Sequence, residues 1–399
     1  MTTVSEGFVP FRGYRTWWRR YDPAGARQDQ AGTIPLLAVN GGPGLPWVLD
    51  EALLEPALRR GRPLVLYDQL GCGRSDRPDD PSVWSVELFV EELATLRREL
   101  SLDEVHIYGI SWGGMLSLAY LLSQPSGVRS VVLASAIASV PLFEQEAHRL
   151  VDAMPAPVRS MLRRARPGTG SDRRGSAQAR SGLTDQEIEA KGRQLARLVP
   201  LLDNPLATGI AWLGSWVPVL RPTATQVAEL AYARRHVCRL DPLPRVLTDM
   251  AAAQNAQLHE VMWGPVESQA TGVLRDFDVT DRLHEIQVPA LVLSGVADEV
   301  TPVQSKLLAD GMPDARWVLF QRSAHMALLE EPEHHWAVVH DFLDTVEARP
   351  HTAAPQRAGT AQPLAPGPPP TSATVRTRRQ RHPPEDGDRP GHDGRRSLH

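Results

Sequence analysis

Hydrophobic and polar positions over the first 135 residues fall into a repeating texture. Short unbroken apolar runs, Ile34 to Val39, Pro63 to Tyr67, Val105 to Tyr108 and Val128 to Ala134, each give way to glycines, prolines or small polar residues. Such runs, bounded by turn residues, predict strands buried on both faces. Tyr14 to Tyr21 precedes them as an earlier strand. Between the second and third runs the period changes. Over Trp84 to Leu100 the apolar positions Leu88, Val90, Leu93, Leu96 and Leu100 recur among Glu and Arg, which predicts a helix covering one face of a sheet. Strands alternating with helices predict an α/β protein with a largely parallel sheet, and in such sheets function lies at the carboxyl ends of the strands.

The texture breaks at Ala136 and resumes near residue 276. Val288 to Gly295 and Arg316 to Phe320 read as two further strands, and Glu333 to Val346 as a closing helix. The intervening stretch is helical in character. It carries Trp212, Trp216 and Trp263, the first two at i, i+4 as packing residues of one helix, and a polar low-complexity segment, Arg163 to Gly182, expected as a flexible surface loop. A helical insertion between sheet strands is the usual construction of a lid. Beyond residue 349 the chain has ten prolines and eight arginines against four acidic residues, the composition of a disordered basic tail. The expected organisation is therefore a core segment 1–135, a helical cap 136–275, a second core segment 276–349 and a tail 350–399.

Composition narrows the function classes. The 399 residues are 42% hydrophobic with a net charge of -4, which allows a large core and gives no reason to expect nucleic acid or an anionic membrane as partner. Cys72 and Cys238 are the only cysteines, too few for a disulfide framework and in keeping with a reducing compartment. The N-terminal stretch has no apolar core of a signal peptide, and no segment offers 18 uninterrupted apolar residues, so a soluble cytoplasmic protein is expected. No His-x-x-x-His or comparable cluster is present, so neither a metal nor any other cofactor is expected. Oligomeric state is not encoded in these features.

Candidate chemistry sits where the apolar runs end. Gly109-Ile110-Ser111-Trp112-Gly113 has the form G-x-S-x-G, in which small flanking residues let a serine occupy a sharp strand-to-helix turn with its Oγ exposed. Asn40-Gly41-Gly42-Pro43-Gly44 follows another strand, and its backbone offers N–H groups to a developing oxyanion, with Gly42 and Trp112 as the expected donors. Asp68, Arg74 and Ser75 lie in a third glycine-rich turn, where bracing of the loop is the simpler role. Asp298 follows the strand at Val288 and His325 the strand at Arg316. Ser111, Asp298 and His325 thus appear in the chain order of a hydrolase triad, each in a loop after a strand.

Together NGGPG, DQLGCGRSDRP, GISWGGMLSLAY, GVADEVTP and SAHMALLEEPE resemble the motifs of the α/β-hydrolase-fold prolyl aminopeptidases, or proline iminopeptidases, and of related amino-acid amidases. The resemblance runs from about Phe8 to Val346 and implies a serine peptidase acting on small peptides or amino-acid amides. It implies further that Glu267, in Met262-Trp263-Gly264-Pro265-Val266-Glu267, binds the substrate's free α-amine, with Glu229 as a second carboxylate for that role. Two positions depart from the family pattern. Asn40 stands where the oxyanion loop usually begins with histidine, and Ser268 where an aromatic residue is common. An esterase acting on a neutral substrate shares the triad and is the alternative expectation.

Overall fold

The protein is described by a computed structural model covering residues 2–23, 33–47, 56, 58–165 and 221–349. Eight strands form one sheet in the order β1-β2-β4-β3-β5-β6-β7-β8. They are β1 (Thr3–Phe11), β2 (Tyr14–Asp22), β3 (Leu36–Val39), β4 (Leu64–Tyr67), β5 (Val105–Ile110), β6 (Val128–Ala134), β7 (Ala290–Gly295) and β8 (Ala315–Phe320). From β4 to β8 all pairings are parallel, and only β1 with β2 and β2 with β4 run antiparallel. The α/β expectation holds, and the apolar runs form the middle of the sheet.

Alternation within those runs divides the core in two. Leu37, Val39, Val65, Tyr67 and Ile107 face one buried cluster with helices α1 (Val86–Glu99) and α2 (Trp112–Leu122). Leu36, Ala38, Leu64, Leu66 and Tyr108 face the other, closed by Trp336, Val339, Phe342 and Leu343 of the last helix (Pro332–Glu347). Each such Val, Leu, Ile or Phe side chain contributes about 1.5–3 kcal/mol by burial. Because both faces are apolar, burial alone discriminates weakly between registers. A polar pair does discriminate: His106 and Ser130 lie opposite each other on β5 and β6, Nδ1 to Oγ 2.7 Å, and His106 Nε2 meets Glu347 Oε1 at 3.1 Å. A slip would strand a buried imidazole without partners.

Two expectations need correction. Strand β1 was not anticipated: six of its nine positions are exposed and it lies on the sheet edge, so no apolar run announces it. Arg163 to Ala165, placed in a loop, instead complete the helix α4 (Ala156–Ala165). The rest of that low-complexity segment, Trp212, Trp216 and the tail from 350 lie outside the described residues.

Between β6 and β7 the described chain is helical, with α3 (Val140–Ala153), α4, α5 (Arg221–His236), α6 (Arg245–Ala253) and α7 (Ala256–Met262). Val151, Met154, Val158, Met161, Leu162, Ala228 and Tyr232 give α3, α4 and α5 a small core of their own. Among the described residues no helix is long and apolar enough to cross a membrane. Both cysteines are buried and free.

Candidate active site

Ser111 sits at the corner between β5 and α2 with φ 55° and ψ -122°, a region that costs a non-glycine residue about 1–3 kcal/mol. Its neighbours explain how the corner is made. A Cβ on Gly109 would lie 2.5 Å from Gly113 O, and one on Gly113 or Gly114 would collide with Val39 O or Ala136 Cβ. The chain therefore closes on itself only with hydrogen at these positions. Ser111 N donates to Ala134 O at 2.9 Å, pinning the corner to β6, while its side chain takes no part in capping α2. The hydroxyl is left for other work.

The loop after β3 lies against this corner. A Cβ on Gly41 would stand 3.4 Å from Ser111 Cβ, and Gly42 has φ 124°. Trp112 opens α2, so its N–H has no intrahelical acceptor. The loop that carries Gly42 thus packs against the serine corner, and Trp112 follows the serine directly. Asn40, the departure from the family pattern, supports the loop directly: Nδ2 donates to Leu45 O at 2.7 Å, and Asn40 O accepts from Gln69 Nε2 at 3.1 Å. Gln69 Oε1 in turn accepts from the buried Trp112 indole at 2.8 Å. Asp68 and Ser75 brace, as expected. Asp68 accepts from Trp47 N and Arg74 N, and Ser75 Oγ donates to Asp68 O while accepting from Trp17 N.

Asp298 and His325 are brought together after β7 and β8. His325 Nδ1 lies 2.8 Å from Asp298 Oδ1, which also accepts from Val300 N at 2.8 Å, and Ser135 Oγ donates to Asp298 Oδ2 at 2.6 Å. Every lone-pair direction that matters for holding the ring is occupied. Burial disfavours the imidazolium, but the charge and hydrogen bond of Asp298, helped by Glu299 and Glu267, outweigh it and raise His325 to about 9. The hydrogen bonds among the described residues do not include one from Ser111 Oγ to His325, so the structure joins the acid and the histidine and places the serine on the same edge of the sheet.

Further acidic groups act on this ring or on one another. Glu299 is buried, its Oε1 lies 4.0 Å from His325 Nδ1 and its Oε2 has no hydrogen-bond partner among the described residues. Desolvation lifts it to about 8, with the nearby charges of Glu267 and Asp298 adding and that of His325 opposing. Glu267 is 54% exposed, at 3.7 Å from His259 Nε2. Glu229 on α5 is open to solvent on one side, yet enough protein surrounds its carboxyl that desolvation, reinforced by the Glu267 charge, raises it to about 7. Glu267 therefore acts electrostatically on Glu229, Glu299 and His325 at once.

The sequence reading passed over Ser135, Glu299 and His236. His236 ends α5 and its carbonyl accepts from Glu299 N at 3.0 Å and His325 N at 3.3 Å, while its Nδ1 donates to Ala297 O at 2.9 Å. His236 thus ties the loop of Asp298 to that of His325. The only sequence signal for Glu299 was its position beside Asp298. Among the described residues no group of three or more His, Cys, Asp or Glu is arranged to hold a metal ion.

Comparison with known proteins agrees with this geometry. Residues 34–332 match the family model described as alpha/beta hydrolase fold. The chain is 34% identical over 343 residues to the proline iminopeptidase of Heyndrickxia coagulans, covering 86% of this chain and 99% of that one. It is 35% identical over 340 residues to the enzyme of the same name from Lactiplantibacillus plantarum, covering 84% and 100%. The chain belongs to the proline iminopeptidase family. Solved structures agree: the proline iminopeptidase of Mycobacterium smegmatis superposes with TM-score 0.67 at 30% identity, covering 86% of this chain and 99% of that one. VinJ superposes with TM-score 0.65 at the same identity and coverage.

Proposed function

We propose that the protein is a serine hydrolase that releases an N-terminal residue, proline above all, from small peptides or amino-acid amides through an acyl-enzyme. The observation that carries this reading is that one imidazole answers to two sets of groups. Asp298 orients it by a hydrogen bond, as acyl transfer requires, and a second buried acid, Glu299, stands 4.0 Å from the same Nδ1, a feature for which a neutral substrate would have no use. The buried Glu299 Oε2, without a partner among the described residues, adds to it, since burial disfavours the charge of a lone carboxyl and an ammonium ion is the partner that restores it. Family membership supports proline as the released residue.

In the mechanism Ser111 Oγ attacks the carbonyl carbon of the first residue while His325 Nε2 takes its proton. Asp298 keeps the imidazole's other proton on Nδ1 and stabilises the cation formed. The Gly42 and Trp112 N–H groups receive the oxyanion, each contributing about 3 kcal/mol to the barrier reduction. His325 then protonates the leaving amine as the C–N bond breaks, leaving the acyl group on Ser111. Water, deprotonated by His325, attacks the ester and restores the serine. Glu267 and Glu299, with Glu229 as a further carboxylate, hold the substrate's α-ammonium, which excludes internal peptide bonds because these carry no charge there.

The test is hydrolysis of a chromogenic amide panel with proline, alanine and leucine at the free N-terminus, an N-acetylprolyl control and Ser111→Ala as the blank. Selective, Ser111-dependent release from the free prolyl substrate is expected. Cleavage of simple esters but of no amide would leave an esterase and remove the amine-anchor role of Glu267.

A further inference from the structure

Helix α7 (Ala256–Met262) of the insertion is fastened to the loops of the sheet at its first turn. Asn255 N donates to Gly44 O at 2.9 Å, and Asn255 Nδ2 donates to Gly71 O at 2.9 Å. A Cβ on Gly44 would sit 2.8 Å from Asn255 O, so the approach is as close as backbone allows. One turn on, His259 reaches back into the same loop: its Nδ1 lies 3.2 Å from Pro43 O. A carbonyl only accepts, so this contact puts a proton on Nδ1. The far side of the ring, Nε2, stands 3.7 Å from Glu267 Oε2, at ion-pair range. The His259 carbonyl accepts from Trp263 N at 2.8 Å and Gly264 N at 3.1 Å, opening the turn that carries Glu267. Trp263 Nε1 closes that turn by donating to Glu267 O at 3.0 Å.

We infer that His259 is a positioning residue that sets the distance between the amine anchor Glu267 and the oxyanion loop at Gly42 and Pro43. The inference rests on the proposed role of Glu267. Its chemistry follows from the substrate. In an α-amino acyl group the ammonium nitrogen and the carbonyl carbon are separated by one carbon atom, so the cation site and the oxyanion donors must hold one fixed spacing. A displacement of about 1 Å costs on the order of 10²-fold in rate even when the reacting groups are intact. Two separate chain segments supply the two sites, 216 residues apart at the His259 to Pro43 contact. The His259 side chain touches both. Its side chain is 14% exposed against 54% for Glu267, so the ring is the fixed member of the pair and the carboxylate the adaptable one. The ring therefore acts as a gauge for α-amino over β-amino acyl substrates.

The experiment uses the full-length protein with prolyl p-nitroanilide, its β-homoprolyl analogue and p-nitrophenyl acetate. His259→Ala is expected to lower kcat on the prolyl substrate by roughly 10- to 100-fold with KM altered less than about threefold, because spacing is realised in the transition state. The preference for prolyl over β-homoprolyl should shrink by a similar factor, and acetate hydrolysis should stay within about threefold, since Asn255 and Asn40 still hold the loop. His259→Asn, whose amide can replace the donor to Pro43 but not the approach to Glu267, should recover only part of the loss. In a Glu267→Gln background His259→Ala should have little further effect. Equal losses on acetate and prolyl substrate in His259→Ala, or full recovery in His259→Asn, would overturn the inference. If Glu267→Gln keeps the full preference for a free amine, the anchor reading falls and this inference with it. A damaged Glu267→Gln beside a silent His259→Ala overturns the inference alone.

Discussion

Asp298 and Glu299 are neighbours in sequence, both buried beside the same imidazole, and they are built in opposite ways. Asp298 spends its oxygens on His325, Val300 and Ser135. Glu299 keeps one oxygen without a partner among the described residues and is lifted by desolvation to about 8. A carboxylate saturated by the protein serves the protein, by fixing a ring. One left unsatisfied at the cost of a few kcal/mol serves a ligand. In the proposed function the first serves acyl transfer and the second recognition of a cation.

Four substitutions break or sharpen this contrast. Asp298→Asn should be the most damaging, lowering kcat by about 10⁴-fold on prolyl p-nitroanilide and on p-nitrophenyl acetate alike, because the amide favours the wrong imidazole tautomer. Steady-state kinetics on both substrates checks the equality. Glu299→Gln should separate the two substrates. Loss of a charge-assisted contact to the ammonium, worth about 1.5–3 kcal/mol, lowers kcat/KM for the prolyl amide by about 10- to 100-fold and spares the acetate ester.

The same variant should move the pH profile of the ester reaction. His325 must be neutral to act as base, and its pKa of about 9 is held up in part by Glu299, so removing that charge lowers the pKa. The acid limb then shifts to lower pH, and ester hydrolysis near neutrality rises; a limb that stays fixed would show that Glu299 does not act on the ring. Ser135→Ala removes the hydroxyl from Asp298 Oδ2 and should cost about tenfold in kcat on both substrates, since His325 Nδ1 keeps its acceptor. Asn40→Ala loses one loop hydrogen bond and should reduce kcat by only about threefold, read against the same two substrates.

Much of this was legible in the chain because it is recorded in residue type and order. The central strands announce themselves as unbroken apolar runs, and the glycines around Ser111 mark where backbone meets backbone. The pairing of Asp298 with His325 follows from chain order once both lie after strands. What was not legible depends on contacts across the fold. Glu299 looks like any loop carboxylate until His236, some sixty residues upstream, takes its N–H and helps bury it. His259 has no motif, and its meaning comes from touching Pro43. Strand β1 is written in exposed residues because an edge strand needs few buried ones.

The most direct measurement is the ratio of kcat/KM for prolyl p-nitroanilide to that for its N-acetyl derivative, in the wild-type protein and in the double variant Glu267→Gln, Glu299→Gln. The account predicts a wild-type preference for the free amine of about 10³-fold, in the range for a charge that meets buried opposite charge, collapsing toward unity in the double variant. Equal cleavage of the two substrates by the wild type, or a preference that survives loss of both carboxylates, would contradict it.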